Sequence, residues 1–344
     1  MKRREMIRNT ALGAAALTVG AAAPKAAETI PAKPLPEKRD MTYRELGKTG
    51  IKMSLLGFGS HLSVENKSDP VRRNRQIQEG FNNGINLFDI YDHGNFHQFK
   101  PMSKSLAGKR EKVLISLVAV QDDVRKEVEG ALRTFNTDHI DLYRIVYRDS
   151  QGEQARGDYE RGDDVLDLLF RMKEEGKIRA VGVVSHCESG ILYAVEHFPV
   201  DYIMMPINFH HNKAWFDDAP DGYSKVLPLC REKGVGVLGI KPLAGDPMVA
   251  FAQHIGLLAP DYRGPSYPKA AFRYLWRNED ISSVLPSINT VGQLWEALDA
   301  LWKPEFTKED KKVLKNLSRK ADRTFGAYLP PHYKWMEEWR VRTG

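Results

Sequence analysis

The sequence predicts a closed (β/α)8 TIM barrel with a parallel sheet, and three observations lead to this α/β fold class. Short apolar runs rich in β-branched residues alternate with amphipathic helical patterns, which is typical of parallel strands covered by helices. Eight such runs fall within about 240 residues, which favours a closed barrel over an open sheet. No GxGxxG motif follows the first run, so the usual dinucleotide fingerprint of a doubly wound sheet is missing.

The candidate strands and helices follow one another in a regular order. Val124, Val128, Leu132 and Phe135 recur at helical spacing after the third strand, and a later helical pattern begins at paired aspartates and ends at Gly176. The eight predicted strands are 53–60, 85–90, 112–120, 140–147, 178–185, 201–209, 234–243 and 283–288.

The loops after the strands are expected to carry function, because active sites of such barrels lie at the carboxyl ends of the strands. Three of these loops are long, 148–162, 210–222 and 244–266, and they are predicted to form the rim of a small-molecule substrate site. The whole chain divides into an export signal at 1–27, a proline-rich linker at 28–41, the barrel at 42–303 and a helical extension packed on it at 304–344.

The first 27 residues have the pattern of a twin-arginine export signal. The pair Arg3-Arg4 precedes a small-residue apolar stretch that is too short and too weakly apolar for a stable membrane span. We therefore expect recognition by the twin-arginine machinery and a periplasmic or secreted protein; the alternative is a disordered basic tail. About half of the net charge of +6 lies in the first 23 residues, and no basic cluster is interleaved with aromatic residues, which argues against a nucleic-acid partner.

The chain has two cysteines, Cys187 and Cys230. They fall in different predicted elements, and Cys230 shares a helical apolar face with Val226 and Leu229. This placement predicts a buried free thiol rather than a disulfide.

Several motifs, taken in their joint order, resemble those of the aldo/keto reductase family over about residues 42–300. They are YRELGKTGIKMSLLGFGS (43–60), GINLFDI (84–90), TDHIDLYRI (137–145), EEGKIRAVGV (174–183) and KPLAG (241–245). The resemblance implies a barrel that reduces carbonyl groups with hydride from NADPH.

The catalytic residues that the resemblance implies are an Asp, a Tyr, a Lys and a His around the substrate carbonyl. The Asp falls on Asp89, and His93 stands near the position of the Tyr. The Lys and His positions are occupied by Val118 and Val146. Asp89 and His93 are therefore the candidate catalytic residues, and ordinary carbonyl reduction would lack its activated proton donor, at a cost of about 10²–10⁴ in rate.

Asp89 poses a separate problem of charge. A buried carboxylate that has lost its lysine partner lacks several kcal/mol of compensation, on the order of 3–5 kcal/mol. We therefore expect Asp89 to be partly protonated, paired differently or bound to a cation.

The resemblance also implies a site for NADP or NAD, although Met204, Ile207 and Ala297 depart from the family pattern. The residues that match the nucleotide-binding positions are Ser185, His186, Asn208, Lys241, Pro242, Leu243, Gly245 and Gln293.

Histidines are concentrated in the loops after the predicted strands. With Asp89 nearby they suggest acid–base work or, as an alternative, a divalent metal. His210 and His211 are candidate substrate contacts, as are Tyr147 and Trp215, whose alternative is packing at the rim. The seven histidines of this group are His61, His93, His97, His186, His210, His211 and His254.

Three functions remain open at this stage. The first is an exported oxidoreductase with altered catalysis and a tightly held nucleotide, because the periplasm has no free NADPH pool. The second is a non-redox lyase, epimerase or hydrolase on the same barrel, and the third is a ligand-binding barrel without catalysis.

Overall fold

The structure is a computed structural model, and it confirms the eight-stranded parallel barrel. The described residues are 39–60, 70–90, 92–93, 96–119, 123–147, 154–185, 188–210, 225–259 and 261–324. The predicted export signal, almost all of the predicted linker and the chain beyond residue 324 lie outside them.

The barrel strands are parallel and follow one another around the sheet in chain order. The last strand meets the first, because Gly57 N donates to Val284 O at 2.9 Å and Gly59 N donates to Pro286 O at 3.0 Å. The barrel strands are β3 (Phe58–Gly59), β4 (Leu87–Ile90), β7 (Leu114–Ala119), β8 (Ile140–Val146), β9 (Ile178–Val184), β10 (Tyr202–Pro206), β11 (Gly236–Ile240) and β12 (Ile281–Leu285).

Two short antiparallel hairpins accompany the barrel. Strands β1 (Tyr43–Glu45) and β2 (Lys52–Ser54) pair with each other, and Leu46 and Met53 join the cluster of side chains inside the barrel. The predicted first strand at 53–60 is therefore divided between this hairpin and β3. A second hairpin, β5 (Asp92–His93) with β6 (Phe96–His97), follows β4 directly.

Helices cover the barrel, and one predicted from its apolar spacing, α3, has the predicted bounds and clear end signals. Asp123 accepts a hydrogen bond from Lys126 N at its start, and Asn136 ends it in the left-handed conformation. The helices are α1 (Pro70–Asn82), α2 (Phe99–Leu106), α3 (Val124–Phe135), α4 (Gln154–Glu174), α5 (Glu188–His197), α6 (Val226–Lys233), α7 (Gly245–His254), α8 (Tyr267–Trp276), α9 (Val291–Trp302) and α10 (Lys308–Thr324).

Two of the three predicted rim loops are shorter than the sequence indicated. Helix α4 begins at Gln154, inside the predicted loop 148–162, and α7 occupies the first part of the predicted loop 244–266. Helix α10 packs on α8 through the ion pair between Arg273 and Asp310, whose atoms are 3.1 Å apart. Within the described part of the chain, no helix combines the length and apolar character needed to cross a bilayer.

Cys230 is a free, buried thiol on α6, as predicted. Burial, assisted by the charge of Asp280, raises its pKa to about 12.

We expect a Cys187→Ser variant to resist a thiol reagent at pH 7 while native and to take up one equivalent in denaturant. Rapid labelling of the native variant would contradict this burial.

Candidate active site

Asp89 lies inside the barrel and is not a lone carboxylate. Arg144 donates from Nη1 to Asp89 Oδ1 at 2.7 Å and from Nη2 to Oδ2 at 3.2 Å. Ser116 Oγ donates to Oδ1 at 2.8 Å. The side chains of Arg144 and Asp89 are 0% and 2% exposed. Asp89 was expected to be partly protonated, paired with a different residue or bound to a cation. The structure shows the second of these states, with Arg144 as the partner.

The Arg144 side chain points into the barrel because side chains alternate between the two faces of β8. Leu142, Arg144 and Val146 are separated by two residues each and therefore point to the same face of the strand, which is the inside of the barrel. In the pairing of β7 with β8, Val118 stands directly opposite Arg144. The positive charge thus lies one strand away from the position where the resemblance places a lysine.

Tyr202 lies beside the same ion pair. Its ring fills the space opposite Gly182, where an added Cβ would come within 2.5 Å of ring carbons. Its hydroxyl is fully enclosed and makes no hydrogen bond of normal geometry, although it is close enough to Arg144 to be influenced by its charge. Burial raises the pKa of Tyr202, opposed by Arg144 and reinforced by Asp89. An enclosed phenol with a raised pKa is a poor proton donor, so Tyr202 is not a candidate acid.

Aliphatic side chains line the barrel above the ion pair. Val146, near the carboxyl end of β8, is 52% exposed, whereas Val118 and Val184 are 2% and 6% exposed. Val118 and Val146, where the resemblance implies a lysine and a histidine, offer no polar side-chain atom to a substrate.

The segment after β11 forms a strained turn at the mouth of the barrel. Lys241 and Ala244 have φ values of +53° and +63°, followed by Gly245 at +80°. Left-handed conformations of residues other than glycine cost about 1–3 kcal/mol each and are concentrated at functional sites. Pro242 is buried and Leu243 packs on the core, which fixes the turn, and α7 begins directly at Gly245.

Two other predicted nucleotide contacts end neighbouring strands. Ser185 follows β9 and is 1% exposed, and its N donates to Met204 O at 3.2 Å. Asn208 follows β10 and is equally buried, with Oδ1 accepting from His210 N at 3.0 Å. His186, predicted beside Ser185, lies outside the described residues.

Gln293 has a structural role in this chain. Its Oε1 accepts from the backbone N of Asn289 at 2.9 Å and of Thr290 at 3.2 Å, while Thr290 Oγ1 accepts from Gln293 N at 3.1 Å. This is a capping box at the start of α9. The side chain that the resemblance assigns to the nucleotide is therefore engaged with the backbone of its own helix.

Two of the predicted substrate residues, Tyr147 and His210, lie in the described part of the chain, and both are buried. Tyr147 is fully buried against α4 and α5, with its hydroxyl 2.5 Å from Asp163 Oδ1 and its ring stacked at 6.4 Å from Tyr193. Of the two roles expected for Tyr147, this placement favours packing. His210 is also buried, and its Nδ1 lies 2.7 Å from Ser318 Oγ on α10. It joins the end of β10 to the C-terminal helix.

The remaining candidates are described only in part or not at all. His93 is placed only through its backbone, opposite Phe96 in the β5–β6 hairpin. His211 and Trp215 lie outside the described residues. Among the residues that are described, no three or more His, Cys, Asp or Glu side chains form a group that could hold a metal ion.

The residue that sequence reasoning missed is Arg144. The signal was present in DLYRI, since a charged residue two positions before Val146 on a strand must point to the same face as Val146. Arg144 is not one of the four positions that the resemblance assigns to catalysis, so the resemblance alone does not identify it.

Comparison with known proteins agrees with this fold. The model of the family described as "Aldo/keto reductase family" matches residues 55–319. An L-galactose dehydrogenase from Arabidopsis thaliana is 25% identical over 310 residues, covering 79% of this chain and 91% of that protein. The uncharacterized oxidoreductase YrpG from Bacillus subtilis is 23% identical over 230 residues, covering 60% and 67%.

Solved structures show the same fold at low sequence identity. The holo form of aldo-keto reductase AKR11C1 from Bacillus halodurans superposes with a TM-score of 0.61 at 20% identity, covering 80% of this chain and 96% of that one. Its apo form gives a TM-score of 0.60 at 21% identity, with the same coverage. With its barrel, its strained turn after β11 and a family match that spans most of its length, the chain belongs to the aldo/keto reductase family.

Proposed function

We propose that this protein is an oxidoreductase that uses tightly held NADP(H), or NAD(H), on a carbonyl or carbohydrate-type small molecule, with an altered set of catalytic residues. Family membership supports the reaction class. The turn Lys241–Gly245 carries the proposal, because its strained backbone leads directly into a helix N-terminus at the barrel mouth.

The residues of this turn fit the phosphates of a nucleotide. Helix N-termini bind anions through their free N–H groups and their dipole, and backbone in left-handed conformations forms anion-binding concavities. Lys241 adds a positive side chain at the same turn. Ser185 and Asn208, buried at the ends of two neighbouring strands, are suited to hold the nicotinamide end. When bound, the nucleotide would supply or accept the hydride.

The proton in this reaction would come from the loops rather than from the barrel interior. Asp89 is enclosed and accepts hydrogen bonds on both oxygens, so it cannot reach a substrate oxygen. We therefore assign proton transfer to His93, which follows β4 at the mouth, and assign to Asp89 a positioning role. The relative named L-galactose dehydrogenase supports a sugar hydroxyl or carbonyl as the reacting group.

The nucleotide itself is the first thing to measure. We expect native mass spectrometry of the full-length protein to show one dinucleotide per chain, and isothermal titration of stripped protein to show that NADP⁺ binds again. Protein that carries no nucleotide and binds none at millimolar concentration would count against the proposal. Turnover of a sugar by such nucleotide-free protein would instead indicate the non-redox alternative.

Export by the twin-arginine route is a further part of this proposal. That route carries folded proteins, so a nucleotide bound in the cytoplasm could travel with the enzyme. Replacing both arginines, Arg3→Lys with Arg4→Lys, should leave the protein in the cytoplasmic fraction of the host as an unprocessed precursor. Undiminished periplasmic protein in fractionated cells would rule out this route.

A further inference from the structure

We propose that Arg144 replaces, from the neighbouring strand, the lysine that the resemblance places at position 118, and that it thereby sets the preference of the site for oxidised or reduced nucleotide. This inference rests on the proposed function. It makes Arg144 a positioning residue that acts through Asp89, because its side chain is fully enclosed and pairs with that carboxylate.

The register of the sheet makes the replacement possible. Position 118 and position 144 are directly opposite each other on β7 and β8, and both side chains point into the barrel. A cation can therefore reach Asp89 from either strand. In this chain β7 carries valine, β8 carries arginine, and Ser116 of β7 joins the pair by donating to the same carboxylate.

The position of the pair gives it an electrostatic role. Arg144 and Val146 lie two residues apart on β8, about 7 Å along the strand, so the ion pair is one layer below the exposed valine at the mouth. The nicotinamide ring of NADP⁺ carries a positive charge that the ring of NADPH lacks. With the nicotinamide end held at Ser185 and Asn208 as proposed above, an uncompensated charge on Asp89 would favour the oxidised form, and the guanidinium of Arg144 that neutralises this charge would remove the bias.

The test is the ratio of the dissociation constants for NADP⁺ and NADPH, measured by isothermal titration on full-length protein stripped of nucleotide. Arg144→Gln should shift this ratio about fivefold toward NADP⁺, because it leaves the charge of Asp89 uncompensated and charges interact strongly at the intermediate dielectric of a protein. Arg144→Lys should leave the ratio within about twofold of wild type. Damage to the fold alone would weaken both nucleotides alike.

A stricter test moves the cation from β8 to β7. Val118→Lys alone adds a second cation and should shift the ratio toward NADPH, in the opposite direction, by about the same factor. Val118→Lys with Arg144→Gln should restore the wild-type ratio. Arg179→Gln is the matched control, since Arg179 pairs with Asp141 near the other end of β8, and it should leave the ratio unchanged.

The outcomes separate this inference from the function on which it rests. A wild-type protein that binds neither nucleotide would overturn both. If wild type binds both nucleotides but Val118→Lys leaves the ratio unchanged, or the double variant fails to restore it, the inference alone is wrong. These two variants decide the question even if Arg144→Gln does not fold.

Discussion

Arg144→Leu should lower the free energy of unfolding by about 3–5 kcal/mol, the largest effect expected of any single substitution in the barrel. The change removes the guanidinium from Asp89 but leaves the carboxylate among aliphatic side chains, where it is 2% exposed. Water cannot replace two hydrogen bonds at that depth, and Ser116 supplies only one. Urea unfolding at pH 7, followed by circular dichroism, measures the difference.

The control is removal of both charges. Asp89→Leu with Arg144→Leu replaces the pair by apolar side chains and should be within about 2 kcal/mol of wild type, because apolar substitutes for a buried ion pair are often neutral or stabilising. The double variant should be more stable than Arg144→Leu alone, which gives a coupling energy by a double-mutant cycle. Equal stability of the two variants would mean that Asp89 does not depend on Arg144.

The fold was predictable because its signals are local and repeated. Each of the eight apolar runs overlaps a barrel strand, the last one only at 283–285, and the spacing of Val124, Val128 and Phe135 predicted α3 with its bounds. The division of 53–60 between a hairpin and a barrel strand was not predictable from composition, because both parts are apolar and buried. What separates them is pairing with distant residues: β2 with β1, and the chain at Gly57 with Val284.

The site was predictable only where it depends on position along a strand. Asp89 was identified, and a changed partner was among its expected states. The identity of that partner depends on the register between β7 and β8, a long-range property that motif spacing does not contain. For Tyr147 and Gln293, residue type and position along the chain predicted contacts with ligands. In the structure their polar groups already have protein partners: Asp163 for the Tyr147 hydroxyl, and the backbone at the start of α9 for Gln293.

A second buried carboxylate, Asp141 near the other end of β8, should also be costly to remove, though less so than Arg144. Asp141 is 1% exposed, accepts from Ile115 N at 2.9 Å, and pairs with Arg110 at 2.9 Å and Arg179 at 2.6 Å. We expect Asp141→Ala to lower the free energy of unfolding by about 2–4 kcal/mol, measured by the same urea titration.

Removing Asp141 should cost less than removing Arg144, because the groups that lose their partner can find others. Arg179 is 44% exposed and can return to water, and Arg110 keeps its hydrogen bonds to Val113 O, Thr137 Oγ1 and His139 O. The main loss is then the buried N–H of Ile115. Asp141→Asn, which can still accept from that N–H, should therefore recover about half of the loss, while Arg179→Gln should cost about 1 kcal/mol or less as a half-exposed partner. If Arg179→Gln were as damaging as Asp141→Ala, the ion pair rather than the strand hydrogen bond would dominate at this end of the barrel.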